Sequence, residues 1–359
     1  MVEQTAALRH WGVSIGTMPT GAANSLTDVA GVTVGHCTLA DDAIQTGVTA
    51  IKPHPGNLFR NKVPAAVHVI NGFGKSIGLV QVDELGVLET PILLTNTFSI
   101  ASAADGLLDH CLGQSPEVGV TTGTINPVVC ECNDGYLNEI RGRHITRQHA
   151  LEALANCTSQ VDQGSVGAGR GMSCFGWKGG VGSSSRLISV GDATYTLGAL
   201  VLSNFGDAGW LRLDGTPLGD LAASADPERS EDKGSVIIVL ATDMPCSSRQ
   251  LQRLAKRSVV GLARTGSYIG QGSGDIALAF SNAQTKPHRA EDAVPTFQEV
   301  HEDHLEQGFQ AVALAVEEAV WNSLTYAETV VGRSGHTRQG ISVRKDEILR
   351  RHGRGHSTL

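Results

Sequence analysis

Four groups of residues have types and spacing that suit acyl-transfer chemistry. The first is Gly234-Ser235, where a polar run over residues 219–233 meets the apolar stretch Val236-Ile237-Ile238-Val239-Leu240-Ala241-Thr242. A cut before Ser235 would leave one residue carrying a nucleophilic hydroxyl and a free α-amine. An α-amine has an ordinary pKa of about 7.7–8.0, so it can serve as a local base near neutral pH. Taken by itself, the same junction reads as a loop entering a buried strand, with Ser235 as its first residue. The second group is Gly272-Ser273-Gly274-Asp275, a hydroxyl and a carboxylate two residues apart in a glycine loop. They can converge on a reacting group, or the loop can use Gly and Asp for turn geometry alone. The third is Asn204, at the end of a strand-like alternation, whose amide can donate to an oxyanion or close an Asx turn. The fourth is Glu131, before the turn Asn133-Asp134-Gly135-Tyr136, which can hold a cationic amine or lie solvated.

Other chemistries fit less well. Gly171 to Gly176 has the glycine spacing of a phosphate loop, but Trp177 precedes Lys178 and Gly179 follows, so the lysine and hydroxyl are out of register. Ser230-Glu231-Asp232-Lys233 has Ser-x-x-Lys spacing without the companion motifs, and Ser273 has glycines immediately beside it, the wrong spacing for a nucleophile elbow. The 13 histidines are scattered; His301 and His304 share a helical face but lack an evident third ligand, so no metal is expected. Seven cysteines without a CxxC pair read as reduced thiols of a cytoplasmic protein, and Cys130-Glu131-Cys132 is too close for a zinc knuckle.

The elements that must position these residues are mostly strands. Short strands are expected at Val32-Thr33-Val34, 48–51, 65–71, 91–97, 128–132, 194–204, 235–242 and 276–280. Helical spacing covers Ser99 to Leu112, ending at Gly113, and runs from the N-cap Thr146 to Cys157. A further helix follows Ser247, which has capping-box spacing to Gln250, and a long one covers about His304 to Leu324. Two glycine-rich stretches, 164–171 and 179–185, lie between. Many strands with four good helices, neither alternating βα nor all-β, point to an α+β architecture with helices outside packed sheets.

Composition narrows the classes. A net charge of −8 with 28 basic residues offers no phosphate-neutralising face, so nucleic acid is not an expected partner. No apolar run reaches the roughly 18 residues that span a bilayer, and the N-terminus is not a signal peptide. The basic C-terminal tail, residues 350–356, reads as a frayed, solvated end.

Together the pieces resemble the DmpA/BapA-type aminopeptidase family, the L-aminopeptidase/D-amidase-esterases and β-aminopeptidases. The resemblance spans nearly the whole chain. It rests on residues 24–36, Glu131-Cys132-Asn133-Asp134-Gly135-Tyr136-Leu137-Asn138 and Asn204-Phe205-Gly206. It continues through Gly234-Ser235, Ala241-Thr242-Asp243, Arg264-Thr265-Gly266, Gly272-Ser273-Gly274-Asp275 and Ala327-Glu328-Thr329. It implies a four-layer αββα sandwich, α/β in class, similar to N-terminal-nucleophile hydrolases but differently connected. It implies one autoprocessed domain, cut between Gly234 and Ser235 into chains of residues 1–234 and 235–359 that assemble as a homotetramer. Carried over residue by residue, Ser235 is the nucleophile and Ser273 and Asp275 support it. Asn204 stabilises the oxyanion, Glu131 holds the substrate amine, and Tyr136 lines the site. Cys132 stands where Thr is expected, Met244 where Ala is common, and Asp275 is shorter than the Glu of some relatives. The implied activity is hydrolysis of small peptides, amino acid amides or esters without a cofactor. The alternatives are an ornithine-acetyltransferase-like acyltransferase, which usually has a Thr nucleophile, and an unprocessed binding homologue.

Overall fold

Apolar residues on both faces of a strand require a layer on either side, and that requirement organises the molecule. The computed structural model describes residues 7–221, 234–290 and 292–356, without the side chains of 354–356. The polar linker expected over 219–233, with Ser230 to Lys233, therefore lies outside the described residues except for Gly219–Leu221, a 3₁₀ turn. The principal strands are β1 (Thr33–Asp41), β2 (Ile44–Lys52), β3 (Asn61–Gly72), β4 (Ile92–Asn96), β5 (Val128–Cys132), β6 (Gly180–Val190), β7 (Ala193–Asn204), β8 (Ser235–Thr242) and β9 (Gly274–Ser281). The principal helices are α1 (Ile100–Gln114), α2 (Arg147–Ala155), α3 (Ser248–Arg264), α4 (Leu305–Thr325) and α5 (Lys345–His356).

The strands form two sheets. One orders β1-β2-β4-β5; the other orders β3-β9-β8-β7-β6, with short strands Val87–Leu88 and Lys286–Pro287 paired to β3. Within the second sheet β8 and β9 run parallel and every other principal pair is antiparallel. Ile237, Val239 and Ala241 of β8 join Ile276, Leu278, Cys130 and Cys132 in the core between the sheets. Val236, Ile238 and Leu240 face the other way, into the core shared with Leu251 and Leu254 of α3 and Val312 and Val316 of α4. A third core packs α1 and α2 on the outer face of the smaller sheet through Val48, Leu93, Val129, Leu107 and Ala153. The order is helices, sheet, sheet, helices: the four-layer αββα sandwich that the resemblance implies.

The elements match the sequence reading with four differences. The strand expected at 32–34 extends to nine residues, because β1 pairs with β2 along its whole length. The glycine–serine stretch 179–185 opens strand β6, where small side chains let α4 lie directly on the sheet. A Cβ on Gly182 would sit 1.9 Å from the Ala319 carbonyl oxygen, and Ser184 Oγ donates to the Ala315 carbonyl at 2.6 Å. The basic tail is helical rather than frayed: it belongs to α5, and Arg351 pairs with Asp220 at 2.6 Å and Glu347 at 2.7 Å. Gly113 lies inside α1, one residue short of its end. All seven cysteines are free. No helix among the described residues is long and apolar enough to cross a membrane.

A buried ion pair ties β6 to α4. Arg186 Nη2 lies 2.6 Å from Glu318 Oε2, both side chains being fully buried. Glu318 Oε1 also accepts from Arg9 Nε and Asn24 Nδ2, each at 2.7 Å, so the N-terminal segment is held by the same carboxylate. Glu318→Ala would strand a buried guanidinium, and a loss of about 3–5 kcal/mol is expected. Urea unfolding checks this, and an unchanged midpoint would show that the pair holds nothing.

Candidate active site

Strand pairing brings the sequence-predicted residues to one end of the larger sheet. Asn204, the last residue of β7, pairs directly with Ser235, the first of β8. On the other side, Ser235 pairs with Gly274 and Val236 with Asp275 in the parallel β8–β9 ladder. Hydroxyl, amide and carboxylate thus sit on three adjacent strand ends, a rigid platform rather than a set of loops.

Ser235 is buried, and its Oγ makes no hydrogen bond of ordinary geometry. A buried hydroxyl without a partner is costly, and such exceptions point to a role outside packing. The Cys132 thiol lies beside it. Burial pushes that thiol well above the ordinary cysteine range, with Ser235 acting the other way and the Glu131 and Asp275 carboxylates adding to the rise. Cys132 is therefore held as a neutral thiol, and its Sγ donates to the Leu202 carbonyl at 3.5 Å.

Gly234 can only be glycine. A Cβ there would meet the Asn204 carbonyl oxygen at 2.1 Å and Phe205 Cα at 2.5 Å. The Gly234 carbonyl oxygen accepts from the Gly274 N–H at 3.3 Å, so the peptide before Ser235 is gripped from both neighbouring strands. Ser273 Oγ donates to Asp275 Oδ1 at 2.5 Å, with both residues buried. The loop that carries Ser273 is pinned by Asn71, whose Nδ2 donates to the Ser273 carbonyl at 2.5 Å and the Gln271 carbonyl at 3.0 Å.

The Asn204 amide is fixed at both ends. Its Oδ1 accepts from the Ser173 N–H and its Nδ2 donates to the Asn133 carbonyl, each at 2.9 Å. Since one partner only donates and the other only accepts, the amide has one orientation. Nδ2 retains a second N–H, the kind of donor an oxyanion requires.

Glu131 comes from the other sheet. It sits near the end of β5, where the parallel β4–β5 register sets Thr95 opposite it. The Lys75 N–H donates to its Oε1 at 2.9 Å, and the Thr97 hydroxyl donates to Oε2. A Cβ on Gly74 would lie 3.8 Å from Glu131 Oε1 and equally 3.8 Å from Gly274 Cα. Gly74 therefore lies between the Glu131 carboxylate and the first residue of β9, which pairs with Ser235. Tyr136 joins less directly. Its ring stacks on His336 at 4.7 Å and lies 3.7 Å from the Arg338 guanidinium, and Arg338 Nε donates to Ser173 Oγ at 3.3 Å.

Sequence reasoning did not find Thr97, Lys75, Ser173, Asn71 or Arg338. Thr97 and Lys75 are placed by strand pairings that local patterns do not encode. Arg338 had no motif of its own to mark it. Among the described residues, no group of three or more His, Cys, Asp or Glu side chains is arranged to hold a metal. Asp134, buried next to Asn133, is pushed up to about 7, chiefly by burial, with hydrogen bonding from Thr46, Asn138 and Asn96 opposing.

Comparison with known proteins identifies the family. The model of peptidase family S58 matches residues 24–338. A beta-peptidyl aminopeptidase BapA from Sphingosinicella microcystinivorans is 38% identical over 357 residues, covering 93% of this chain and 89% of the relative. The PH0078 protein of Pyrococcus horikoshii OT3 superposes with a TM-score of 0.92 at 47% identity, covering 97% of this chain and 99% of that one. The L-aminopeptidase D-Ala-esterase/amidase of Ochrobactrum anthropi, described as a variant of the Ntn hydrolase fold, gives a TM-score of 0.88 at 33% identity over 97% of this chain and 99% of that one. With a family match across most of its length and relatives of this similarity, the chain belongs to peptidase family S58.

Proposed function

We propose that this serine aminopeptidase/amidase cuts its own Gly234–Ser235 bond and then uses Ser235 as the nucleophile for substrate. The observation that carries the reading is the register of β7, β8 and β9, which sets Asn204 and Gly274 on either side of Ser235. Family membership supports the peptidase activity; the roles of the individual residues are inferred from their geometry.

In the first reaction Ser235 Oγ attacks the Gly234 carbonyl carbon. The C–N bond breaks, the hydroxyl proton passes to the departing nitrogen, and an ester joins Gly234 to Ser235. Water then opens the ester, leaving a Gly234 carboxylate and Ser235 with a free α-amine. In the second reaction Glu131 pairs with the substrate's ammonium group. Ser235 Oγ, its proton taken by the α-amine, attacks the first amide or ester carbonyl. Asn204 Nδ2 stabilises the oxyanion, the amine or alcohol leaves with a proton, and water hydrolyses the acyl-enzyme. The Ser273–Asp275 pair supports the nucleophile, and Tyr136 borders the site. No step calls for a metal or an organic cofactor.

Relatives named as a β-peptidyl aminopeptidase and as an L-aminopeptidase D-Ala-esterase/amidase support small peptides, amino acid amides and esters with a free amine as substrates. The active form we infer is a cytoplasmic homotetramer of protomers processed into residues 1–234 and 235–359.

Intact mass spectrometry of the purified protein is expected to show two chains that sum to the full length plus one water. Ser235→Ala is expected to stay as one chain and to lose turnover by at least about a thousandfold; normal hydrolysis by that variant would remove Ser235 from the mechanism.

Glu131→Ala tests amine recognition. A charge-assisted contact of about 1.5–3 kcal/mol predicts about a 10- to 100-fold loss of kcat/KM on free-amine anilides. N-acylated esters are expected to change little, and equal losses on both substrates would argue against the role.

A further inference from the structure

A fully buried lysine stands behind the proposed oxyanion donor, and the reaction as described makes no use of it. Lys178 has no exposed surface. Its Nζ donates to two backbone carbonyls, Gly169 at 2.8 Å and Gly179 at 2.7 Å. These hydrogen bonds close the base of a short hairpin in which Ser173–Cys174 pairs with Trp177–Lys178. Lys178 is the direct cross-strand partner of Ser173, and it is the Ser173 N–H that holds Asn204 Oδ1. The hairpin is also tied to the strand end itself: the Phe175 N–H donates to the Phe205 carbonyl at 2.9 Å, and the Gly179 N–H to the Met172 carbonyl at 3.0 Å.

The other grip on Asn204 touches the same hairpin. Asn133 accepts from Asn204 Nδ2, and the next residue, Asp134, is buried against the hairpin's leading segment. A Cβ on Gly171 would lie 2.7 Å from Asp134 Cβ. Asp134 Oδ1 accepts from Asn138 Nδ2 at 3.0 Å, while Oδ2 has no partner. Both hydrogen bonds that orient the Asn204 amide thus run to one buried polar cluster, which also holds the Lys178 amine.

We propose that Lys178 is a positioning residue for catalysis: by tying the Gly169 and Gly179 carbonyls, it fixes the Ser173 hairpin and thereby the orientation of the Asn204 amide. The inference rests on the reading of Asn204 as the oxyanion donor. Burying an amine is costly. Burial pushes this one well below the ordinary lysine range; Arg170 acts in the same direction and Asp134 opposes it. A merely space-filling role would be served at lower cost by Met or Leu. Two donor N–H groups meeting two carbonyls serve the clamp whether the group is an amine or an ammonium.

The test is a double-mutant cycle of Lys178→Met and Asn204→Ala. Both kcat and KM are measured on an aminoacyl anilide and expressed per processed protomer as counted by intact mass. Asn204→Ala alone is expected to lose about 10²–10³ in kcat. Lys178→Met alone is expected to lose about 10- to 100-fold in kcat, as small misplacements of a catalytic group do, with KM nearly unchanged. In the Asn204→Ala background the Lys178→Met loss should shrink to within about twofold, because residues acting through one another are non-additive. Multiplicative losses, an effect on KM alone, or no effect would overturn the proposal. If too little Asn204→Ala is processed to measure, a crystal structure of Lys178→Met decides: an amide released from the Ser173 N–H supports the proposal, and an unmoved amide overturns it. Lys178→Gln, which keeps an NH2 group on a shorter side chain and adds a carbonyl oxygen, is expected to fall between wild type and Lys178→Met. Failure of both Lys178 variants to fold would assign the residue to the core and overturn the proposal. Unchanged kcat in Asn204→Ala would remove the oxyanion reading, and the proposal with it, before Lys178 is altered.

Discussion

Everything in the site hangs on the register of three strands. Side chains alternate along a strand with period two, so slipping β8 by one residue against β7 would exchange its faces. Ile237 and Val239 would leave the core between the sheets for the helix side, and Ser235 would lose its place opposite Asn204. Both faces of β8 are apolar, so a slip would keep its side chains buried but exchange their shapes between two close-packed cores, and such misfits cost about 1–3 kcal/mol each. The position of Ser235 is therefore specified by packing along the rest of the strand.

The second constraint is that a dry platform must still satisfy polar groups. Glu131, Asn204, Ser273 and Asp275 are all buried. The partners found for them are short-range and largely backbone: Lys75 N–H for Glu131, Ser173 N–H and the Asn133 carbonyl for Asn204. Backbone partners cannot rotate away as side chains do, so the acceptor and donor directions are set before a substrate arrives, which is the preorganisation that lowers a barrier. Ser235 Oγ is the exception: no hydrogen bond of ordinary geometry reaches it, and the Cys132 thiol lies beside it. That contrast fits a group reserved for reaction.

Much of this was legible in the sequence, for identifiable reasons. The run after Ser235 is too apolar to be anything but a buried strand, and Ser247 with Gln250 marked the start of α3, where the Ser247 N–H indeed donates to Gln250 Oε1. The order of motifs marked the family, and hence the layers. What escaped was non-local. The stretch 179–185 has the composition of a loop, and only the close approach of α4 explains why its glycines and serines form a strand. Thr97 meets Glu131 because β4 and β5 run parallel, a pairing that no local pattern declares. Lys178 looked like a phosphate-loop lysine out of register; its real partners are the carbonyls of its own hairpin.

The strand order of the larger sheet has one more consequence. β8 and β9 lie side by side in its middle, flanked by β3 on one side and β7 on the other. Both central strands come after residue 234, and both flanking strands come before it. A chain opened at Gly234–Ser235 would thus yield two interleaved pieces rather than two domains. To part them, two hydrogen-bonded ladders would have to unzip together and both apolar cores that meet at β8 would have to open to water. Covalent continuity there would be dispensable for holding the molecule together: such a break would change the chemistry of one nitrogen and leave the mechanical unit whole.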